Sequence, residues 1–342
     1  MPCVPDRAGR QSGFTLVELM IALVLGMIII GSSVALFISQ RMTTKLASQM
    51  SDIQNEGRIA LDAVARDLRA AGDFGCALAE PPINALVNTS IFDAADGGVR
   101  GFDKGASLNG SSLTGGSTVS GANPASDVLV ASGVSRVVTT LTQATTDAAD
   151  QLLVVDSTPS LASGDVAIVT NCISLSKFQV TGYSVNSDGK GVVTHAIATT
   201  PATLGGGNTK ADLGSVYPSG ATVAKLDTRW WFVGQPTGKP KGLYRVDAGS
   251  GALILVSPRV VDMRVRYEVD SDGDGIADQF DRTAAQVSSW TTVTAAAIEL
   301  LAKSPDNVQN QASPYVFGGQ SVTPSDRAAY MPVRVNLGLR NK

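Results

Sequence analysis

The chain opens with a long apolar segment that runs into a long amphipathic one. Residues 14–38 hold a single charged side chain, Glu18. At about 1.5 Å per residue, a helix of this length spans a hydrocarbon core of about 30 Å. From 39 to 71 the apolar positions recur every three or four residues without a proline, as on one face of a helix. The pattern therefore predicts one helix over 14–71, with its first part, 14–38, apolar enough to cross a membrane.

After residue 71 the pattern changes to short apolar runs between turn residues, which indicates strands. The candidate strands are 127–131, 151–155, 165–170, 177–183, 191–197, 221–226, 229–233, 242–247, 252–257, 260–268, 291–303 and 331–339. Their spacing is typical of antiparallel sheets and not of βαβ units. Two stretches rich in Gly, Ser, Thr and Asn, 94–126 and 199–220, predict long surface loops. The expected fold class is α+β, with one long N-terminal helix packed on a large antiparallel β-sheet domain over 72–342.

Composition and charge narrow the class of protein. The chain carries 27 Lys and Arg against 30 Asp and Glu, a net charge of −3, so we expect no nucleic-acid partner. The one histidine, His195, lies in an alternating strand pattern, which favours a strand residue over a ligand. The aromatic run 230–232 is predicted to be mainly core. The sequence also lacks a phosphate-binding loop, a serine-nucleophile elbow and a zinc-protease motif, so we expect no enzyme.

Glu18 is the residue that a plain membrane anchor does not explain. An unpaired carboxylate in hydrocarbon costs about 2.5–3.5 kcal/mol, so such a residue usually has a partner and a role. The apolar run is also longer than the core of about 7–15 residues found in secretory signals, and it follows a short leader, 1–13, with two arginines. A plain single-pass anchor is the alternative interpretation.

The residues around Glu18 resemble a known processing signal. Gly13-Phe14-Thr15-Leu16-Val17-Glu18-Leu19 is similar to the class III signal of type IV prepilins and pseudopilins. The resemblance implies that a prepilin peptidase cleaves the leader between Gly13 and Phe14, and that Phe14 is then N-methylated. It also implies a single-pass inner-membrane protein whose C-terminal domain lies in the periplasm before it enters the pilus filament. In a filament, the new amine of one subunit would pair with the Glu18 carboxylate of a neighbour, because each buried charge needs the other.

Short motifs in the rest of the chain resemble the PilW family of minor pilins. These motifs lie at 71–76, 171–172, 231–234, 242–245 and 260–267. The resemblance implies a subunit that joins other minor pilins, primes polymerisation of the major pilin and sits at the pilus tip, with a tip adhesin as a further partner. Two alternatives stay open: a J-like pseudopilin of a type II secretion system, and a membrane-anchored periplasmic binding module.

The cysteine count becomes even if the leader is removed. Cys3 lies in the leader, which leaves Cys76 and Cys172 in the periplasmic domain. The periplasm is oxidising, so we expect a disulfide between them that ties the end of the long helix to the sheet. Two buried free thiols are the alternative.

An acidic stretch at 270–281 has the spacing of a calcium loop. The residues at loop positions 1, 3, 5, 7, 9 and 12 are Asp270, Asp272, Asp274, Ile276 (through its carbonyl), Asp278 and Asp281. Alternate carboxylates in such a loop converge on one cation, and a glycine at position 6 allows the turn. Position 12 is Asp and not the usual Glu, and the flanks have strand patterns. A solvated Asp-Gly turn is therefore an equally open interpretation.

Overall fold

The structure is a computed structural model that describes residues 15–75, 83–84, 98–105, 124–155, 161–197, 207–247 and 252–339, without the side chains of 83–84 and 135–138. One long helix, α1 (Leu16–Ala70), precedes a domain built of strands. The helix begins two residues later and ends one residue earlier than the predicted 14–71. The predicted α+β class, a long apolar N-terminal helix with a large antiparallel sheet domain, is confirmed.

Seventeen strands follow the helix in the described part of the chain. They are β1 (Ile83–Asn84), β2 (Val99–Phe102), β3 (Pro124–Thr140), β4 (Leu152–Val154), β5 (Val166–Thr170), β6 (Leu175–Gln179), β7 (Gly182–Val185), β8 (Gly191–Thr194), β9 (Thr222–Gly234), β10 (Gly242–Asp247), β11 (Leu253–Ser257), β12 (Val260–Val269), β13 (Gln279–Arg282), β14 (Val293–Asn307), β15 (Tyr315–Phe317), β16 (Gln320–Val322) and β17 (Ala328–Gly338). Two single-turn 3-10 helices, Ala284–Gln286 and Trp290–Thr292, lie between β13 and β14.

The strands form two main sheets and two smaller ones. The large sheet has eight strands in the order β1-β6-β5-β9-β10-β11, with β3 also pairing with β9 and β2 pairing with β3. The second main sheet has the order β13-β12-β14-β17. A three-stranded sheet, β4-β8-β7, and the β15–β16 hairpin complete the described strands. Apart from the short parallel pair β1–β6, the strand pairs of these sheets are antiparallel, as the sequence spacing predicts.

The C-terminal half of α1 packs into a core shared by both main sheets. Its buried residues include Val64 and Leu68, which join Trp231 of β9 and Ile298 of β14 in one apolar cluster. At Gly57 the helix approaches the second sheet closely, because a Cβ there would lie 3.3 Å from the Val333 side chain. Burial of this apolar face, and not helix propensity, holds the helix on the domain.

Strand β9 organises the large sheet because both of its faces are buried. Trp231 points into the core shared with α1, whereas Trp230 and Phe232 belong to a second apolar cluster on the opposite face. This alternation follows from the two-residue period of a strand. The prediction that the aromatic run 230–232 is core is therefore confirmed for all three rings, each of which is at most 2% exposed.

Several boundaries predicted from the sequence differ from the structure. The predicted surface loop 199–220 contains no helix or strand in its described part, 207–220, but it does not lie wholly at the surface, because Leu213 and Tyr217 are buried in the cluster beneath the three-stranded sheet. The predicted loop 94–126 contains all of β2 and the first residues of β3. The two candidate strands 221–226 and 229–233 are one strand, β9, since the residues between them stay extended and paired with β3.

Candidate functional site

The start of α1 positions Glu18 beside the chain's own N-cap residue. The backbone N–H of Glu18 donates to Thr15 Oγ1 at 3.2 Å, and Glu18 Oε2 accepts from the backbone N–H of Thr15 at 3.4 Å. This reciprocal pair is a capping box, which satisfies two of the N–H groups that a helix start leaves free. Glu18, which the sequence singled out, is therefore held in the first turn of the apolar helix and is exposed.

The two residues at the predicted cleavage site, Gly13 and Phe14, lie outside the described residues. The predicted cleavage and N-methylation of Phe14 thus stay predictions.

The first part of α1 presents an apolar surface that nothing in the described domain covers. None of the residues from 16 to 38 is buried, and the large apolar side chains there are about half to three-quarters exposed, such as Leu16 at 75% and Ile38 at 53%. By length and composition, α1 qualifies as a candidate membrane span. In water such a surface would be strongly unfavourable, so it requires an apolar environment.

The end of α1 is joined to β9 by a buried polar contact that the sequence did not reveal. Asp67 is only 6% exposed, and its two carboxylate oxygens accept from Arg229 Nη1 at 2.6 Å and from Trp231 Nε1 at 3.0 Å. Arg229 also reaches Asp227 at 3.1 Å. The only sequence signal was an aspartate on the apolar stripe of the predicted helix, three residues after Val64 and therefore on the buried face.

The acidic loop brings three of its predicted ligands together. One carboxylate oxygen from each of Asp270, Asp272 and Asp274 lies within 4.8 Å of the others, which makes these three residues able to hold one cation. Asp270 is 7% exposed and accepts from the backbone N–H groups of Gly275 at 2.8 Å and Gly273 at 2.7 Å. These two donors, Gly275 first, keep the pKa of Asp270 below its usual value, so the carboxylate is held in its charged form.

The remaining predicted loop ligands have other surroundings. The Asp278 carboxylate accepts from the hydroxyl and the backbone N–H of Ser271, the latter at 3.2 Å. Ile276 is 70% exposed, and its N–H donates to Asp274 Oδ1 at 2.7 Å. Asp281 belongs to β13, where it has a positive φ of 53° and lines a cavity beside Arg264 and Arg334. The structure therefore groups Asp270, Asp272 and Asp274, but does not include Asp278 or Asp281 in that group.

Of the two cysteines predicted to form a disulfide, the structure describes only Cys172. Cys76 lies outside the described residues, so the predicted Cys76–Cys172 pairing is not tested. Cys172 follows β5 in the turn to β6 and has a positive φ of 71°.

His195 is buried one residue beyond the end of β8, the strand region in which its sequence pattern placed it. It is 2% exposed just after β8, its Nε2 lies 2.8 Å from the carbonyl oxygen of Asp150, and its ring packs against Phe178. In the described part of the chain, neither a cysteine nor a carboxylate hydrogen-bonds to the ring.

Two family models match the chain. The model described as "Prokaryotic N-terminal methylation motif" matches residues 9–34, which include Gly13, Phe14 and Glu18. The model described as "Type IV Pilus-assembly protein W" matches residues 231–341, about a third of the chain, which begin in β9 and contain the whole of the second main sheet. No curated protein sequence matches the chain. Both model matches support the resemblance of this chain to type IV pilus-related, PilW-like pilins.

Proposed function

We propose that this protein is a minor pilin that takes part in type IV pilus assembly. The observation that carries the proposal is an exposed apolar helix that starts at Leu16, with Glu18 in its first turn and within a methylation motif. Its C-terminal half packs on a sheet domain that a PilW model matches in part. The apolar helix and the motif together indicate a membrane-anchored chain with a C-terminal domain outside the membrane. In the proposed cycle the protein starts in the inner membrane with that domain in the periplasm, and then enters the filament.

Processing by a prepilin peptidase is the first step of the proposed function. Cleavage after Gly13 would leave a positively charged amine on Phe14, which is then N-methylated. The cation could pair with the Glu18 carboxylate of a neighbouring subunit, whose local partner in the single chain is the neutral Thr15. Two charges that meet in an apolar filament interior stabilise only the correct register, because a shifted subunit leaves both unpaired.

The partners we propose are other minor pilins, the major pilin and, at the pilus tip, an adhesin. The resemblance to PilW supports an initiating role in which a small complex primes polymerisation. The exposed face of residues 16–38 supports helix-to-helix contact with such subunits, since no described part of the domain covers it. A structural role fits a protein without a recognisable catalytic motif.

Substitution of Gly13 and Glu18 in a deletion strain tests this proposal. We expect the wild-type gene to restore surface pili. We expect Gly13→Ala to leave unprocessed protein of higher mass and few pili. Glu18→Ala should be processed yet assemble poorly. Asp52→Asn, an exposed position on the same helix, serves as the matched control and should piliate normally. Normal pili in both Gly13→Ala and Glu18→Ala would contradict the proposal and favour the membrane-anchored binding module.

A J-like pseudopilin of type II secretion is the second candidate, because it shares the processing signal and the general plan. The same deletion strain separates the two. Loss of secreted proteins with normal pili would favour the pseudopilin, and loss of pili with normal secretion would favour the minor pilin.

We also propose two stabilising features for the domain. The first is a structural Ca²⁺ held by Asp270, Asp272 and Asp274, supported by their convergent carboxylates and by the charged state of Asp270. The second is the Cys76–Cys172 disulfide. It is supported by the even number of cysteines that removal of the leader would leave in an oxidising periplasm. Mass spectrometry of the non-reduced, protease-digested protein would identify the partner, and a peptide joining Cys172 to any other cysteine would contradict this pairing.

A further inference from the structure

A cavity of about 310 Å³ lies on the outer face of the second main sheet. Along β12, Met263, Val265 and Tyr267 point into the core beneath α1, so the alternate residues 264, 266 and 268 point away from it. The cavity includes Ala297 of β14, which pairs directly with Arg266. The cavity forms over Ala297 because its methyl group is much shorter than the charged side chains around it, such as Arg266 and Glu299.

One end of this cavity is built by the β15–β16 hairpin. The N–H of Gly318 donates to Glu299 Oε2 at 2.8 Å, and Arg264 Nη1 donates to the carbonyl oxygen of Gly318. Arg264, Glu299 and Arg334 lie side by side across three neighbouring strands. The hairpin is therefore anchored by charged residues that would otherwise be available to a ligand.

The charged groups that line the cavity differ in whether they already have partners. Arg266 forms an ion pair with Asp127 at 3.2 Å, whereas Arg334 and Arg264 donate to the neutral oxygens of Asn336 and Gly318 and keep their charges. In contrast, the carboxylates of Glu268 and Asp281 accept no hydrogen bond and form no ion pair within the described part of the chain. The unpaired groups at the β12–β13 side are thus carboxylates, whereas the arginines Arg264 and Arg334 flank Glu299 on the neighbouring strands.

Two further features of that side favour a cationic ligand. Phe280 precedes Asp281, is 62% exposed and lines the same cavity, so its ring face is available to a cation. The acidic loop that starts at Asp270 follows Glu268 by two residues, and its carboxylates make the local potential more negative.

We propose that this cavity binds the side chain of a lysine or arginine presented by a partner subunit. The cationic head would pair with Glu268 and Asp281 beside the ring of Phe280, while the alkyl stem lies over Ala297. The proposal that a basic side chain binds here is based on the cavity alone and does not depend on the proposed function. Only the identity of the partner as another pilus subunit rests on the proposed function.

The direct test uses N-acetyl-argininamide as the probe and its neutral analogue N-acetyl-citrullinamide as the matched control. Both are titrated into the full-length protein in detergent micelles and followed by NMR. We expect saturable shifts with the arginine compound and binding weaker by roughly tenfold with the citrulline compound. Equal binding by the two compounds, or no saturable binding by the arginine compound, would overturn the proposal.

Three variants locate the binding. Glu268→Gln with Asp281→Asn should reduce affinity for the arginine probe by roughly tenfold, since both charges are removed. Ala297→Leu should also reduce it, because the larger side chain occupies the cavity while the charges remain. Asp188→Asn, in the turn between β7 and β8, should leave it unchanged. Circular-dichroism melting checks that each variant is folded. Unchanged affinity in the double variant would exclude this site.

The docking role is tested separately in cells. If the double variant loses probe binding and also assembles few pili, the cavity contacts a subunit. If it loses probe binding but assembles pili normally, the docking role is wrong while the proposed function stands, since the latter is judged by the deletion strain alone.

Discussion

The carboxylate of Asp67, near the end of the long helix, accepts a hydrogen bond from the indole nitrogen of Trp231 on β9 at 3.0 Å. Its other oxygen accepts from Arg229 two residues earlier on the same strand. One helix residue thus holds two neighbouring side chains of the central strand, and it does so in a buried position. The contact couples the end of the helix directly to the core of the domain.

Removal of the Asp67 carboxylate should destabilise the domain. Asp67→Ala leaves the Trp231 N–H and the Arg229 guanidinium without their main acceptor, and a lost hydrogen bond to a charged group costs about 1.5–3 kcal/mol. Asp62→Asn, at an exposed position on the same helix, should change stability little. Urea unfolding followed by tryptophan fluorescence measures both, and equal midpoints would show that the contact adds no stability.

A methyl group at Gly133 should force the helix end away from β3. A Cβ at this position would overlap the carbonyl oxygen of Ala70, which is backbone and cannot rotate aside. We expect Gly133→Ala to cost about 1–3 kcal/mol, the range for overpacking. Gly338→Ala is the control, because a Cβ there meets nothing within 4 Å. A matching loss of melting temperature in both variants would contradict this explanation.

The ion pair between Lys303 and Asp326 should make a small, acid-sensitive contribution to stability. Lys303 Nζ lies 2.6 Å from Asp326 Oδ2, and this contact keeps the pKa of Asp326 below its usual value. A lowered carboxyl pKa in the folded state stabilises the fold above the unfolded-state pKa of about 3.9, and that contribution is lost as the pH falls through the folded-state value. Asp326→Asn should therefore be less stable than wild type at pH 7, by at most about 1 kcal/mol for a partly exposed pair.

The measurement for this ion pair is urea unfolding of both proteins at pH 7 and at about pH 2.5, below the usual aspartate pKa. The difference between wild type and Asp326→Asn should shrink at the acidic pH. A difference that stays constant would mean that the aspartate acts through its shape and not through its charge.

Calcium should raise the melting temperature if the acidic loop binds it. The carboxylates of Asp270, Asp272 and Asp274 repel one another without a cation. A ligand that binds only the folded state stabilises it by RT ln(1 + [L]/Kd), where [L] is the free ligand concentration. Asp274→Asn should abolish the difference between calcium and EDTA, whereas Asp188→Asn should keep it. Identical melting curves of the wild-type protein in calcium and in EDTA would exclude the site.

The N-terminal helix and the sheet domain differ in how much of their structure could be predicted from the sequence. The helix at 16–70 was predictable because a long apolar run and a three-to-four-residue stripe are local signals. The burial of Tyr217 in a segment rich in Gly and Ser was not, because its hydroxyl contacts Ser176, forty-one residues away in the chain. The calcium-loop spacing predicted five carboxylate ligands, but the path of β13 carries Asp281 to the cavity beside Arg264.

The sequence by itself determined the resemblance to type IV prepilins, since Gly13, Phe14, Glu18 and the apolar segment are contiguous and need no tertiary contact to be recognised. Only the tertiary structure decided which charged residues act together. The Asp67–Trp231 contact joins positions 164 residues apart, and the cavity at Ala297 is assembled from four strands and a hairpin turn. The physical reason is that helix and strand periods report which face a residue occupies, whereas the register between distant strands depends on the packing of the whole domain.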